Sequence, residues 1–106
     1  MKKIPIIQEL EEFKKQGYED NPNEQVIYIF ENGFGASVIL GKHSYGLEMM
    51  LITPDYEFDK DYVKSQLLKF ESDLYYDVVG HLDKEKMKDL LKGIQKIKPF
   101  LEVVEG

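Results

Sequence analysis

The densest apolar pattern in the chain lies between Gln25 and Leu40. Two runs rich in β-branched and aromatic residues, Val26-Ile27-Tyr28-Ile29-Phe30 and Phe34-Gly35-Ala36-Ser37-Val38-Ile39-Leu40, flank Asn32-Gly33. Asn-Gly between such runs is the strongest short-range hairpin signal, because a type I′ turn needs positive φ at both central residues. With Asn32-Gly33 as a two-residue loop, Glu31 faces Phe34, Phe30 faces Gly35, Ile29 faces Ala36, Tyr28 faces Ser37, Ile27 faces Val38 and Val26 faces Ile39. One face then carries Ile27, Ile29, Ala36, Val38 and Leu40. The other carries Val26, Tyr28, Phe30 and Ile39, with Gly35 and Ser37 beside the aromatics. Both faces are apolar, so both are expected to be covered. Leu47-Glu48-Met49-Met50-Leu51-Ile52 reads as a third strand, stopped by Thr53-Pro54. An antiparallel meander is the economical arrangement, since consecutive strands usually neighbour one another.

Helical periodicity brackets these strands. Residues 5–16 read as a helix, with Pro5 in the first turn, Ile6, Ile7, Leu10 and Phe13 on one side and Gly17 as a C-terminal stop. Residues 19–24 form a polar connector, and Gly41–Gly46 a surface loop. Val63, Leu67 and Phe70 predict a further short helix near 60–70. Residues 74–79 fit either a fourth strand or an irregular lead into the last helix. That helix, 83–98, has Asp83 as its N-cap, Leu82 and Met87 as a hydrophobic staple, and an apolar stripe of Met87, Leu90, Leu91, Ile94 and Ile97. The fold class is therefore α+β: an antiparallel three- to four-stranded meander packed by N- and C-terminal helices, as one domain over residues 1–106.

Composition narrows the function classes. There is no cysteine, which removes disulfides, thiolate zinc sites and thiol nucleophiles. The opening Met1-Lys2-Lys3-Ile4-Pro5 has no apolar core behind it, and Glu9, Glu11 and Glu12 arrive too soon for a signal peptide. No apolar run approaches a membrane span, so a cytoplasmic location is expected. The net charge is −6, and all 14 basic residues are lysine. Arginine is the favoured side chain for bidentate recognition of phosphates and guanine edges. Its absence from an acidic chain argues against direct nucleic-acid binding.

Candidate chemistry is sparse. His43 and His81 have no second histidine at i+3 or i+4 and read as surface or capping residues, and no metal site is predicted. The serines lie outside any Gly-x-Ser-x-Gly context. Gly33 and Gly35 fall in a hairpin rather than between a strand and a helix, so they form no phosphate cradle; Gly35 fits a bulge or close packing beside an aromatic. The carboxylates are more informative. Asp55, Glu57, Asp59 and Asp61 alternate along the chain and would share one side of an extended segment. Asp73 and Asp77 add to them, interleaved with Tyr56, Tyr62, Tyr75 and Tyr76. The pattern fits a solvated acidic surface or an acidic, tyrosine-rich binding face, since tyrosine is enriched where interfaces are desolvated. The candidate binding residues are Tyr56, Glu57, Asp59, Asp61, Asp73, Tyr75, Tyr76 and Asp77.

Phe30-Glu31-Asn32-Gly33-Phe34-Gly35-Ala36-Ser37-Val38, then Tyr45-Gly46-Leu47-Glu48, then Asp77-Val78-Val79-Gly80-His81-Leu82 before an acidic-capped helix, resemble small uncharacterised accessory proteins of phages and prophages of low-GC Gram-positive bacteria. The resemblance spans roughly residues 25 to 95 and breaks between Thr53 and Asp73, where the middle segment is longer. It implies a mobile-element origin rather than a mechanism. The expected function is that of a non-enzymatic phage-type protein binding a protein partner, host or phage, that presents a basic groove. Its concrete form is inhibition of a host nucleic-acid enzyme or defence system. The alternative is a self-associating accessory or structural protein, a homodimer built on an exposed sheet face. No cofactor is expected.

Overall fold

Four antiparallel strands, β1 (Lys14–Asp20), β2 (Asn23–Ile29), β3 (Gly35–Leu40) and β4 (Leu47–Ile52), form one sheet in the order β1-β2-β3-β4. A 3-10 helix (Gln8–Phe13) precedes β1, and the helices α1 (Lys60–Leu67) and α2 (Lys84–Gln95) follow β4. The computed structural model describes residues 3–20, 23–41, 44, 46–69 and 74–101, with residues 16–20 and 23 described by their backbone. The predicted α+β meander is present, and its fourth strand is N-terminal.

The expected helix over residues 5–16 is replaced by the 3-10 turn and by β1. Ile4, Ile7 and Leu10 are buried at a spacing of three, while Ile6 is 60% exposed. Only Leu10 of these lies inside the 3-10 helix; Ile4 and Ile7 stand in the non-helical segment that leads into it. Ile7 at the N-cap offers no side-chain acceptor, and Leu10 donates its N–H to the Ile7 carbonyl at 2.9 Å. Gly17 therefore lies within a strand, and the segment expected as a polar connector supplies the ends of the β1–β2 hairpin, where Asp20 faces Asn23. The sequence Lys-Lys-Gln-Gly-Tyr-Glu-Asp of β1 lacks any apolar alternation, which is tolerable for a strand at a sheet edge.

The β2–β3 hairpin is present with its register displaced by one residue from expectation. Val26 faces Val38, Tyr28 faces Ala36 and Ile29 faces Gly35. Phe30 donates to the Phe34 carbonyl at 2.8 Å and Gly33 to the Phe30 carbonyl at 2.9 Å, so the loop has three residues, Glu31, Asn32 and Gly33. Gly33 has φ 86° and Asn32 is not among the residues of positive φ. This is a type I turn closed by a left-handed glycine, the usual three-residue hairpin. A one-residue slip exchanges the faces of one strand relative to its partner. The inner face accordingly carries Val26, Tyr28, Ala36, Val38, Leu47 and Met49, buried in one core with Leu10, Val63, Leu67, Leu90, Leu91 and Ile94. Gly35 is needed because a Cβ there would lie 1.9 Å from the Tyr28 carbonyl oxygen.

The outer face departs from the expectation that both faces are covered. Ile27, Ile29, Ile39 and Ile52 are only half-buried and lie outside the core, and Met50 is 48% exposed. The helices' buried residues all belong to the inner-face cluster.

Asn32 joins the hairpin to α2. Its Oδ1 accepts the Phe34 N–H at 2.9 Å, while its Nδ2 faces the carbonyls of Ile94 (3.0 Å), Gln95 (3.3 Å) and Ile97 (3.0 Å). Ile94 and Gln95 lie in the last turn of α2, where carbonyls lack their regular i+4 donors, although Ile94 also accepts the Ile97 N–H at 3.2 Å. The Ile97 carbonyl lies just past the helix. α2 stops at Gln95, earlier than expected, and its chain continues along α1. Gln66 clamps Lys98 through both amide atoms, at 2.9 and 2.8 Å, and the Asp59 N–H reaches the Pro99 carbonyl at 2.9 Å. At the other end the Asp83 cap is present, accepting from the Lys86 N–H at 2.8 Å, and Leu82 and Met87 are both buried. Residues 74–79 form no strand; Val79 makes a single antiparallel bridge to Met49. The predicted short helix is α1, although Phe70 lies outside the described residues.

Two outcomes are expected. Asn32→Ala should lower stability by about 1–3 kcal/mol in urea titration, the cost of stripping partners from half-buried polar groups. Asn32→Asp should do no better, because a carboxylate cannot donate and would face the negative end of α2. The second concerns Tyr28, which is 1% exposed and whose phenol is pushed up to about 12, first by burial and then by the Glu11 carboxylate. An unfolded tyrosine ionises near about 10, so the folded state holds this proton more tightly. The stability linked to it is complete below about pH 10 and is lost as pH rises towards about 12. Tyr28→Phe should flatten that alkaline loss, read as urea midpoints across the same window.

Candidate protein-binding surface

The acidic and tyrosine residues singled out in the sequence do not lie along one extended segment. After β4 the chain bends through residues 53–59 and enters α1. Alternation therefore places neither Asp59 nor Asp61 on a common strand face with Asp55 and Glu57. Asp59 is the N-cap of α1, its Oδ1 accepting the Tyr62 N–H at 3.1 Å. Asp61 is exposed in the first turn, where a carboxylate complements the helix dipole. Asp73 lies outside the described residues.

Tyr56 is held as structure as much as surface. Its hydroxyl donates to the Asn32 carbonyl, and its ring stacks on Phe100 with centroids 6.3 Å apart and meets Phe58 edge-on at 6.5 Å. Phe58 in turn packs edge-on against buried Phe34 at 5.0 Å. A Cβ on Gly33 would come within 2.9 Å of the Pro54 Cβ and 3.1 Å of the Tyr56 ring, so the turn is pressed against this segment. The hairpin thus fixes one wall of a shallow groove of about 470 Å³, lined by residues 53–58, Lys60 and Tyr75. Asp55 and Glu57 are exposed in that wall.

Tyr75 also borders a second groove of about 280 Å³, lined with Met50, Leu51, Leu74, Tyr76, Asp77 and Val78. The Tyr75 and Tyr76 rings meet edge-on at 5.3 Å, and the Lys64 ammonium sits 5.1 Å and 4.9 Å from their centroids. A hydrogen bond with the Tyr76 side chain raises the Lys64 pKa against an opposing desolvation, with the charges of Tyr76, Tyr75 and Asp61 adding to the rise. The cation stays charged and braces the ring pair from the α1 side. Tyr76 is 72% exposed, and Val78 is 39% exposed beside Met50. Asp77 folds back locally, accepting the Val78 N–H at 2.7 Å. The structure therefore gathers Tyr56, Glu57, Tyr75, Tyr76 and Asp77 around two adjoining grooves and assigns Asp59 to the scaffold.

Three members of this surface escaped the sequence reading. Met50 and Val78 are apolar residues whose exposure depends on which sheet face is open. The alternation of β4 carries that signal for Met50, since buried Met49 and Leu47 put Met50 and Glu48 on the opposite side. Lys64 has no sequence signal, because its relation to Tyr75 and Tyr76 is purely tertiary.

His81 builds no centre with other described residues. His81 is exposed, adopts φ 55° and packs beside Gly46, while His43 lies outside the described residues. Among the described residues no group of His, Asp and Glu side chains could hold a metal ion, and no helix is long and apolar enough to cross a membrane. Comparison of the chain with family models, with curated proteins and with solved structures gives no match.

Asp59→Ala should cost about 1 kcal/mol in thermal or urea unfolding, the usual value of an N-cap. The main-chain bond to Pro99 should survive, because its donor is the backbone. A binding defect in this variant without loss of stability would instead place Asp59 in the surface.

Proposed function

We propose that this chain is a non-enzymatic, phage-type protein that binds a protein partner through the surface around Tyr75 and Tyr76. The observation that carries the reading is the exposed ring of Tyr76 beside Met50 and Val78, with Asp77 on the same groove. A braced aromatic flanked by apolar side chains and rimmed by carboxylates is the composition of an interface hot spot. Glu57 and Asp55 extend the acidic rim along the adjoining groove. With a net charge of −6, the partner class that fits is a protein presenting a basic groove. A host nucleic-acid enzyme or defence protein, whose groove otherwise holds phosphates, is the concrete case, and the host cytoplasm is the compartment where it would be met.

A second reading is favoured by one observation. The half-buried Ile27, Ile29, Ile39 and Ile52 form an apolar sheet face outside the core, which suits self-association of an accessory or structural protein.

The test begins with affinity capture from host lysate by wild type and by Tyr76→Ala. A basic protein retained by the first and lost from the second supports the proposal. In the purified pair, Tyr76→Ala should act mainly on dissociation. Changing Glu57, Asp61 and Asp77 to amides should slow association, and wild-type association should fall with salt, since charge is screened over about 8 Å at physiological ionic strength. Unchanged, salt-insensitive kinetics in the amide variant would overturn the acidic-rim assignment.

A further inference from the structure

The chain contains three asparagines, and the residue after each sets its chemistry. Asn21 precedes Pro22, whose nitrogen carries no hydrogen to give up. Asn23 precedes Glu24, and Asn32 precedes Gly33. An asparagine amide is thermolabile, and it is lost most readily before glycine, where no Cβ shields the next peptide nitrogen. In that reaction the Gly33 nitrogen gives up its proton and attacks the Asn32 Cγ. A nitrogen–carbon bond forms, the Cγ–Nδ2 bond breaks, and Nδ2 takes up a proton and leaves as ammonia. Water, the one co-reactant, then opens the succinimide at either carbonyl and leaves aspartate or isoaspartate at position 32.

The folded geometry opposes each requirement of this reaction. The nucleophile is engaged, because the Gly33 N–H donates to the Phe30 carbonyl at 2.9 Å. The amide is held at both ends. Its Oδ1 accepts the Phe34 N–H at 2.9 Å, and its Nδ2 faces the carbonyls of Ile94 and Ile97, each at 3.0 Å. Closing the five-membered ring brings Cγ, Cβ, Cα and the Asn32 carbonyl carbon into one plane with the Gly33 nitrogen, so the side chain and the following peptide must both rotate. The Tyr56 hydroxyl donates to the Asn32 carbonyl and resists the second rotation. Gly33 has little room to follow, since a Cβ there would already lie 2.9 Å from the Pro54 Cβ.

From these contacts we propose that Asn32 is a fold-gated modification site: its amide is kept while the hairpin is joined to the end of α2 and is lost when the two part. Local opening populates about 0.1–10% of the molecules, so the joined state slows the loss by about 10- to 1,000-fold. The change runs one way. Either product lacks the Nδ2 donor and sets a carboxylate beside backbone carbonyls at the negative end of α2. Isoaspartate also adds a main-chain carbon to a loop of three residues, which moves the Asn32 carbonyl away from Tyr56. Each opening that ends in reaction therefore removes one molecule from the joined state, and the acid at position 32 records time spent open. The inference is independent of any partner, because the reacting atoms all belong to this turn.

The experiment incubates the full wild-type chain in mildly alkaline buffer, folded and unfolded in urea, and follows conversion of Asn32 to the acid by peptide mapping and mass spectrometry. The folded chain should convert about 10- to 1,000-fold more slowly than the unfolded one. Tyr56→Phe frees the Asn32 carbonyl and keeps the ring, so it should raise the folded rate several-fold and leave the unfolded rate unchanged. Converted molecules carry an added negative charge and can be separated by ion exchange. They should unfold at a lower urea midpoint than molecules that retain the amide. Equal rates in the folded and unfolded chain overturn the proposal. So does a folded rate that Tyr56→Phe leaves unchanged, or a converted chain that keeps the wild-type urea midpoint.

Discussion

The side chain of Asn32 is the joint on which the arrangement depends. A hairpin turn is ordinarily a surface feature, but this one points the Asn32 side-chain amide at carbonyls at and just past the C-terminal end of α2, while the Oδ1 of the same side chain accepts the Phe34 N–H within the turn. The turn therefore cannot adopt the two-residue form that Asn-Gly would favour in isolation. With Asn32 in negative φ and Gly33 left-handed, the loop takes three residues, and the register of β2 against β3 follows. One tertiary demand thus decides which apolar residues enter the core. Tyr28, Ala36 and Val38 are inside together because Asn32 is committed to α2.

The same joint organises the far end of the molecule. Tyr56 holds the Asn32 carbonyl, Phe100 stacks on Tyr56, and Gln66 and Asp59 grip the chain that leaves α2. Residues 54–59 carry few buried apolar groups of their own, so their shape is imposed from these contacts. That is how an irregular stretch becomes a groove wall rather than a loose loop, and it ties the geometry around Tyr75 to the hairpin some forty residues earlier in the chain.

The legible parts of the sequence were those with local causes. The Asp83 cap, the α2 stripe, the third strand and the short middle helix follow from spacing and capping chemistry, and each lies where the pattern puts it. The illegible parts have tertiary causes. β1 carries no apolar alternation in its sequence, and the preceding Ile4, Ile7 and Leu10 imitate an α-helical stripe although Ile4 and Ile7 come before the 3-10 helix. The hairpin register was set by α2, which no window around Asn32 contains. For the candidate surface, the cluster of tyrosines was visible but their division of labour was not. Tyr56 is engaged by the turn, Tyr75 and Tyr76 are braced by Lys64, and Asp59 is spent on a helix cap.

The distribution of helices explains where exposed chemistry is possible. The 3-10 helix, α1 and α2 all contribute to the core beneath Val26, Tyr28, Val38 and Met49, so the opposite face must tolerate water. It does so with polar insertions: Gln25 bonds Ser37 at 2.8 Å across the β2–β3 ladder, and Glu48 sits beside Ile39. These break the apolar face into patches instead of one continuous sheet of isoleucine. The largest exposed apolar side chains at its β4 end, Met50 and Val78, lie next to the ring pair. A one-sided α+β sheet therefore concentrates its unspent apolar surface where the acidic residues already are. Desolvation at Met50, Val78 and Tyr76 supplies residence time, and the carboxylates around them supply the direction of approach.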